Sequence, residues 1–164
     1  MNKKQKLIKA MEHESISAKE ALETAIDMYI ASPELGYQEV VFKAIIYALV
    51  MEGKVYTAIT GKGIPENPND VVPGATYDSF ELRALQMEDG AQMAVALTDN
   101  SNMDQIPNTA FAELELEELM DYIEDTELDG LLLNPGPKNF FMPMSLVRGL
   151  VQQWRMIKKQ FQKR

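Results

Sequence analysis

The 164-residue sequence contains no cysteine, one histidine and one tryptophan. Without cysteine there can be no disulfide, no thiolate metal site and no cysteine nucleophile. His13 alone would have to supply acid–base catalysis at neutral pH or imidazole ligation, and between acidic neighbours near the N-terminus it is expected to be a surface residue. A serine–histidine pairing and a phosphate-binding loop pattern are also absent. We therefore predict a domain without catalytic residues, cofactor or metal.

Long apolar runs are missing as well. The longest candidate, residues 40–51, is interrupted by Lys43 and is too short to span a membrane. Residues 7–15 carry several charges where a signal peptide would have its apolar core. These features, with the lack of cysteine, predict a soluble cytoplasmic protein that does not bind membranes.

Basic residues are scarce in the middle of the chain. Ten of the 16 Lys and Arg residues lie in the first nine residues or in the last predicted helix, whereas all 25 Asp and Glu residues lie between them. Because the middle of the chain is so acidic, it repels the phosphate backbone of nucleic acids, and nucleic-acid binding is not expected. We expect residues 1–15 to be a flexible basic N-terminus and residues 16–164 to form a single domain.

Two acidic stretches are candidates for cation binding. Residues 113–129 contain nine acids and no base, and residues 99–104 contain Asp99 and Asp104. Neither has the alternating ligands, glycine and closing glutamate of a calcium loop. A solvated acidic surface, able to meet a basic protein partner, is the favoured interpretation.

The pattern of apolar residues predicts an α+β fold, with a mixed sheet of about five to six strands packed by helices. Ser17 and Glu20 fit a capping box, and apolar residues at helical spacing behind it predict a helix ending near Ser32. A wider apolar face predicts a second helix. After the helix at 35–51, strands are predicted at 54–60, 79–87, 92–98 and 111–116. A short helix at 117–125, a strand pair around Asn134 and a C-terminal helix capped by Ser145 complete the order.

The most distinctive segment is residues 128–137, in which an apolar run after Gly130 enters the turn Asn-Pro-Gly-Pro. It predicts a buried strand, a tight turn at Asn134 and a following strand that contains Phe140. The Asn134 amide would either line the rim of a ligand pocket or bond its own backbone while Pro135 sets the turn dihedral, and the second alternative is favoured.

Three stretches resemble the N-terminal domain of SseB-type proteins, the bacterial enhanced-serine-sensitivity proteins. Residues 42–57 (FKAIIYALVMEGKVYT) are similar to the family's helix and first strand, and residues 92–100 (QMAVALTDN) to a later strand, with Leu97 where phenylalanine is usual. Residues 130–135 (GLLLNP) are similar to its Gly-hydrophobic-Asn-Pro motif. The resemblance implies a bacterial cytoplasmic α/β domain without an established enzymatic activity.

Two functions remain open. The favoured one is a non-catalytic, regulatory or protein-interaction domain, monomeric or homodimeric, that uses its acidic face or the loop 61–74. The alternative is a small-ligand-binding or hydrolytic protein with a pocket at the Asn134 turn. On the last helix, Trp154 with Arg155 and Lys158 would dock a partner. The favoured alternative is that Trp154 completes the core while the two cations offset the charge of the acidic body. The candidate interaction residues are Asn134, Phe140, Trp154, Arg155 and Lys158.

Overall fold

The computed structural model of the chain describes residues 1–33, 36–64, 70–71 and 80–162. Within these ranges the chain forms five α-helices, a 3₁₀ helix and eight strands, an α+β fold as predicted. In chain order they are α1 (Lys3–Glu12), α2 (Ala18–Ala31), α3 (Tyr37–Val50), β1 (Lys54–Thr60), β2 (Asp70–Val71), β3 (Glu81–Leu82), β4 (Leu85–Gln86), β5 (Gln92–Ala96), the 3₁₀ helix (Asn100–Gln105), β6 (Ala110–Glu115), α4 (Leu116–Glu124), β7 (Gly130–Leu133), β8 (Phe140–Pro143) and α5 (Met144–Gln162).

The strands form two four-stranded sheets, in the orders β2-β6-β1-β3 and β4-β5-β7-β8. The first is built on the antiparallel pair β1–β6, and the second on the parallel pair β5–β7, in which Ala96 lies opposite Leu133. Within the described residues one isolated bridge joins the sheets, where Tyr56 and Leu97 exchange backbone hydrogen bonds of 2.9 and 2.7 Å. Mixed pairing is as predicted, but the layer is divided in two.

The division runs through the strand predicted at residues 79–87. Ser79 lies outside the described residues, β3 pairs with β1, and β4 pairs with β5. The segment therefore crosses from one sheet to the other. Between the two short strands the Arg83 amide donates to the Ala58 carbonyl at 2.9 Å. The hairpin predicted at Gly90 is confirmed by the β4–β5 pairing and by the positive φ of 91° at that glycine.

The helices share one continuous apolar core with one face of the two sheets. Successive strand side chains point to opposite faces, so Ala94, Ala96 and Leu131 meet the helices, whereas Val95 and Leu97 lie in a smaller cluster covered by Met103 of the 3₁₀ helix. All five helices contribute buried residues to the larger cluster. Strands β5 and β7 of the second sheet are thus held between the helical layer and the 3₁₀ helix.

The N-terminal segment is helical and packed, which corrects the prediction of a flexible basic tail over residues 1–15. Asn2 and Gln5 form a reciprocal capping box at the start of α1, and Leu7 and Met11 are buried. The spacing of these two residues, four positions apart, puts both on one helix face. Of the lysines that suggested mobility, Lys3, Lys6 and Lys9 are exposed on other faces of the same helix, so composition concealed an amphipathic pattern.

Helix and strand ends show which local predictions were accurate. Ser17 accepts the Glu20 amide at 3.1 Å and begins α2 as predicted. Ser145, by contrast, is the second residue of α5, which follows β8 directly. Gly130 is required by packing, because a Cβ there would lie 2.1 Å from the Met142 carbonyl oxygen of β8. Among the described residues, none of the helices combines the length and apolar character that a bilayer crossing requires.

Candidate functional site

A cleft of about 360 Å³ opens where strands β5 and β7 end. Because the two strands are parallel, their carboxyl ends lie at one edge of the sheet, the usual place for a ligand in α/β proteins. Three segments line it: α2, the 3₁₀ helix with its preceding residue, and the turn after β7. We name it the Asn134 cleft; its lining residues are Glu23, Ile26, Asp27, Asp99, Ser101, Asn102, Gln105, Asn134, Pro135, Pro137 and Lys138.

Asn134 ties together the two strand ends beneath the cleft. Its side chain is only 8% exposed, and its φ of 50° is in the left-handed region that asparagine tolerates better than most residues. The Asn134 Oδ1 accepts the buried Thr98 amide at 2.9 Å, and its Nδ2 donates to Thr98 Oγ1 at 3.0 Å. The favoured prediction, that the side chain bonds its own backbone, is therefore wrong: it bonds the neighbouring strand and lines the cleft.

Glu23 extends this network from the helical layer. Thr98 Oγ1 donates to Glu23 Oε1 at 2.8 Å, so the carboxylate is held against the strand ends by a hydroxyl group. Glu23 is partly buried, and no cationic side chain in the part of the chain that the structure describes lies within 4 Å of it. A carboxylate so placed can accept further hydrogen bonds from the cleft.

Two ion pairs flank this carboxylate. Lys19 Nζ lies 2.5 Å from Asp99 Oδ2, and Lys138 Nζ lies 3.3 Å from Asp27 Oδ1. The hydrogen bond from Lys19 lowers the pKa of Asp99, with a further contribution from the Ser101 amide. The same bond, and the charges of Asp99 and then Glu23, raise the pKa of Lys19. Lys19 and Asp99 are therefore both charged at neutral pH.

This arrangement is suited to binding. The cleft has Ser101 but no histidine, because His13 lies at the end of α1 and lines a separate, more open groove with Lys6 and Lys9. In the described part of the chain, no three His, Asp or Glu residues are grouped as metal ligands. What converges on the cleft is a set of fixed hydrogen-bonding and charged groups, which can recognise a polar molecule.

The structure separates the five predicted interaction residues. Asn134 lines the cleft. Phe140 is buried beneath it, with its ring 5.3 Å from the ring of Tyr29 and 6.4 Å from that of Phe42, both in edge-to-face geometry. Such pairs stabilise a core, so Phe140 supports α2 and α3 and does not contact a ligand in the cleft.

Trp154, Arg155 and Lys158 lie together on α5, which contributes no residue to the lining of the cleft. Trp154 is 8% exposed and belongs to the core. Arg155 lies 3.2 Å from Asp121 and 3.1 Å from Glu124 of α4, and Lys158 Nζ lies 2.5 Å from Glu117. The cations therefore offset part of the acidic stretch 113–129 within the molecule.

Sequence reasoning missed most of the cleft. Glu23, Asp27 and Lys138 stand among other charged residues of α2 and the turn, and no local pattern distinguishes them. Thr98 and Asp99 carried a usable signal, because polar residues directly after a buried strand lie at the sheet edge where ligands bind. Recognising it required knowing that β5 pairs with β7 in parallel. The loop 61–74 lies mostly outside the described residues.

No protein-family model, curated protein or solved structure matches the chain. The resemblance to SseB-type proteins stays a prediction that rests on three stretches of its own sequence.

Proposed function

We propose that this chain is a non-catalytic binding domain that recognises a small polar molecule in the Asn134 cleft. The observation that carries the proposal is that Glu23 of α2 and Asn134 at the end of β7 line one concave site and are joined through the buried Thr98. These side chains are fixed by hydrogen bonds to each other before any ligand arrives. Such preorganisation lowers the entropic cost of binding.

The dimensions and lining of the cleft define the class of ligand. Its volume of about 360 Å³ is near the lower end of the range for small-molecule sites. Ile26, Pro135 and Pro137 are the apolar lining residues, whereas the others are charged, amide or hydroxyl side chains. A small, strongly hydrogen-bonding solute fits this site better than a flat aromatic or aliphatic one.

A protein partner is the second candidate. On α5 the side chains of Met156 and Phe161 are 65% and 60% exposed, and large exposed apolar groups are frequent at protein interfaces. Arg155 and Lys158 are paired with α4, so such a partner would contact the apolar groups more than these cations. The cytoplasmic location also stays a prediction.

The proposal is tested by titrating ¹⁵N-labelled protein with a library of polar metabolites and recording two-dimensional NMR spectra. We expect the amides of Thr98 and Asp99 and the side-chain amide of Asn134 to shift on binding. Ser101→Trp should abolish the shifts, because the indole would occupy the cleft. Ser145→Trp, the same change at an exposed residue outside the cleft lining, should retain them.

Two outcomes would contradict the proposal. One is a library that leaves the cleft signals unmoved while other surfaces respond. The other is binding that Ser101→Trp and Ser145→Trp affect equally. Shifts confined to α5 would favour a site for a partner on that helix.

A further inference from the structure

The charges around the Asn134 cleft do not balance. The carboxylates of Glu23, Asp27 and Asp99 line it, and among the described residues the ammonium groups paired with them are those of Lys19 and Lys138. Each lysine is engaged by one aspartate, Lys19 by Asp99 and Lys138 by Asp27. One negative charge remains without a cationic partner in the described part of the chain, and it belongs to Glu23, where α2 meets the strand ends.

The Glu23 carboxylate is held in one orientation by a hydrogen bond and is partly buried. Glu23 is held by the Thr98 hydroxyl at 2.8 Å, and Thr98 is held in turn by the almost fully buried Asn134. In this partly buried position a charge interacts more strongly with an ion in the cleft than it would in open water. A ligand cation would therefore gain a charge-assisted hydrogen bond to an acceptor already in place.

Asn134 supplies a second requirement. Its Nδ2 carries two hydrogens, and among the described contacts it donates to one acceptor, Thr98 Oγ1. The second N–H belongs to a side chain that lines the cleft. A ligand with a hydroxyl or carbonyl oxygen near its cationic group would satisfy it. A bare metal ion has no acceptor for this N–H, and the described residues offer no group of ligands for one.

We infer that the ligand of the Asn134 cleft is a small monovalent organic ammonium ion that also carries a hydrogen-bond acceptor, with Glu23 as its counter-ion. The inference rests on the proposed function and specifies its substrate class. An anion is disfavoured, because both lysines at the cleft already have carboxylate partners. Glu23 is therefore the residue that determines the sign of the ligand's charge.

Three probes of matched length test the inference: 4-aminobutan-1-ol, butane-1,4-diol and 4-hydroxybutyrate, which are cationic, neutral and anionic. Each is titrated at constant ionic strength into ¹⁵N-labelled wild type, Glu23→Gln and Glu20→Gln. Glutamine at 23 retains an oxygen that can accept from Thr98, so the fold is retained, and this is checked by the spectrum. Glu20→Gln makes the same change in net charge on α2 outside the cleft lining.

We expect the amino alcohol to shift the Thr98 and Asn134 signals at lower concentration than the other two probes. Glu23→Gln should weaken its binding about tenfold or more, the effect of losing a charged hydrogen-bond partner, and Glu20→Gln should change it little. Equal binding of the diol or hydroxybutyrate, or equal effects of the two variants, would overturn the inference and leave a binding cleft intact. If all three probes leave the cleft unmoved, the inference fails, and the metabolite library decides separately whether the cleft binds anything.

Discussion

Replacing Asn134 tests the hydrogen-bonded clamp beneath the cleft, because this side chain performs two separable tasks. Its backbone takes a left-handed φ of 50°, and its Oδ1 accepts the Thr98 amide at 2.9 Å. Asn134→Ala removes the acceptor and places a less tolerant residue at that φ. Asn134→Gly removes the acceptor but suits the backbone, so the two variants together separate the terms.

The magnitudes follow from these two contributions. Leaving the buried Thr98 amide without an acceptor costs about 2 kcal/mol of unfolding free energy. An alanine in the left-handed region costs about 1 kcal/mol more, which glycine avoids. We therefore expect Asn134→Ala to lose about 3 kcal/mol and Asn134→Gly about 2 kcal/mol, as the sum and the first term of these contributions.

Urea unfolding followed by circular dichroism measures both values, and an unchanged denaturant slope confirms that the unfolded states are comparable. Thr98 should also lose amide protection in hydrogen exchange in both variants. Wild-type stability in Asn134→Gly would refute the clamp, because the Thr98 amide would then not depend on this side chain. Identical losses in the two variants would refute the cost assigned to the left-handed backbone.

Three further changes test other parts of the structure. Gly130→Ala should lower the free energy of unfolding by about 3 kcal/mol or prevent folding, because its methyl group would clash with the backbone of β8. Gly149→Ala, in a helix with open space around it, should raise the free energy of unfolding by about 1 kcal/mol. Equal urea midpoints would contradict this. Burial, and then the charges of neighbouring glutamates, raise the pKa of Glu115, so its ionisation opposes folding, and this penalty disappears as the pH falls below the folded pKa. Glu115→Gln should therefore raise the urea midpoint at pH 7 and leave it unchanged at pH 3. Glu88→Gln, at an exposed residue of the β4–β5 turn, is the control and should change neither midpoint. Leu7→Ala should cost about 2 to 3 kcal/mol by calorimetry; no loss would mean that α1 is not packed.

The secondary structure was predictable where one short-range pattern determined it. Ser17 with Glu20 specified the start of α2, and Asp89-Gly90 specified the β4–β5 hairpin. The apolar run before Asn134 gave strand β7. Each of these features depends on residues within a few positions of each other, and local sequence therefore contains the information.

The cleft was less predictable because it depends on contacts between distant segments. Glu23 meets Thr98 across 75 positions, and Asn134 meets Thr98 across 36. The turn at Asn134 was expected, but its hydrogen-bond partner Thr98 was not. The same local sequence is compatible with a side chain that bonds its own backbone and with one that bonds a neighbouring parallel strand. Likewise α1 was misjudged because four lysines concealed the pairing of Leu7 with Met11 on one buried face.

The single bridge between Tyr56 and Leu97 has a consequence for the mechanical integrity of the molecule. A continuous ladder of backbone hydrogen bonds would join the two sheets into one. In the described residues the sheets share one bridge, so few hydrogen bonds cross the boundary between them. The helical layer spans this boundary, because Val55 on one side and Ala94 on the other pack into the same helices. The helices therefore connect the two sheets, and rotation of one sheet relative to the other would disturb the packing of both against this helical layer.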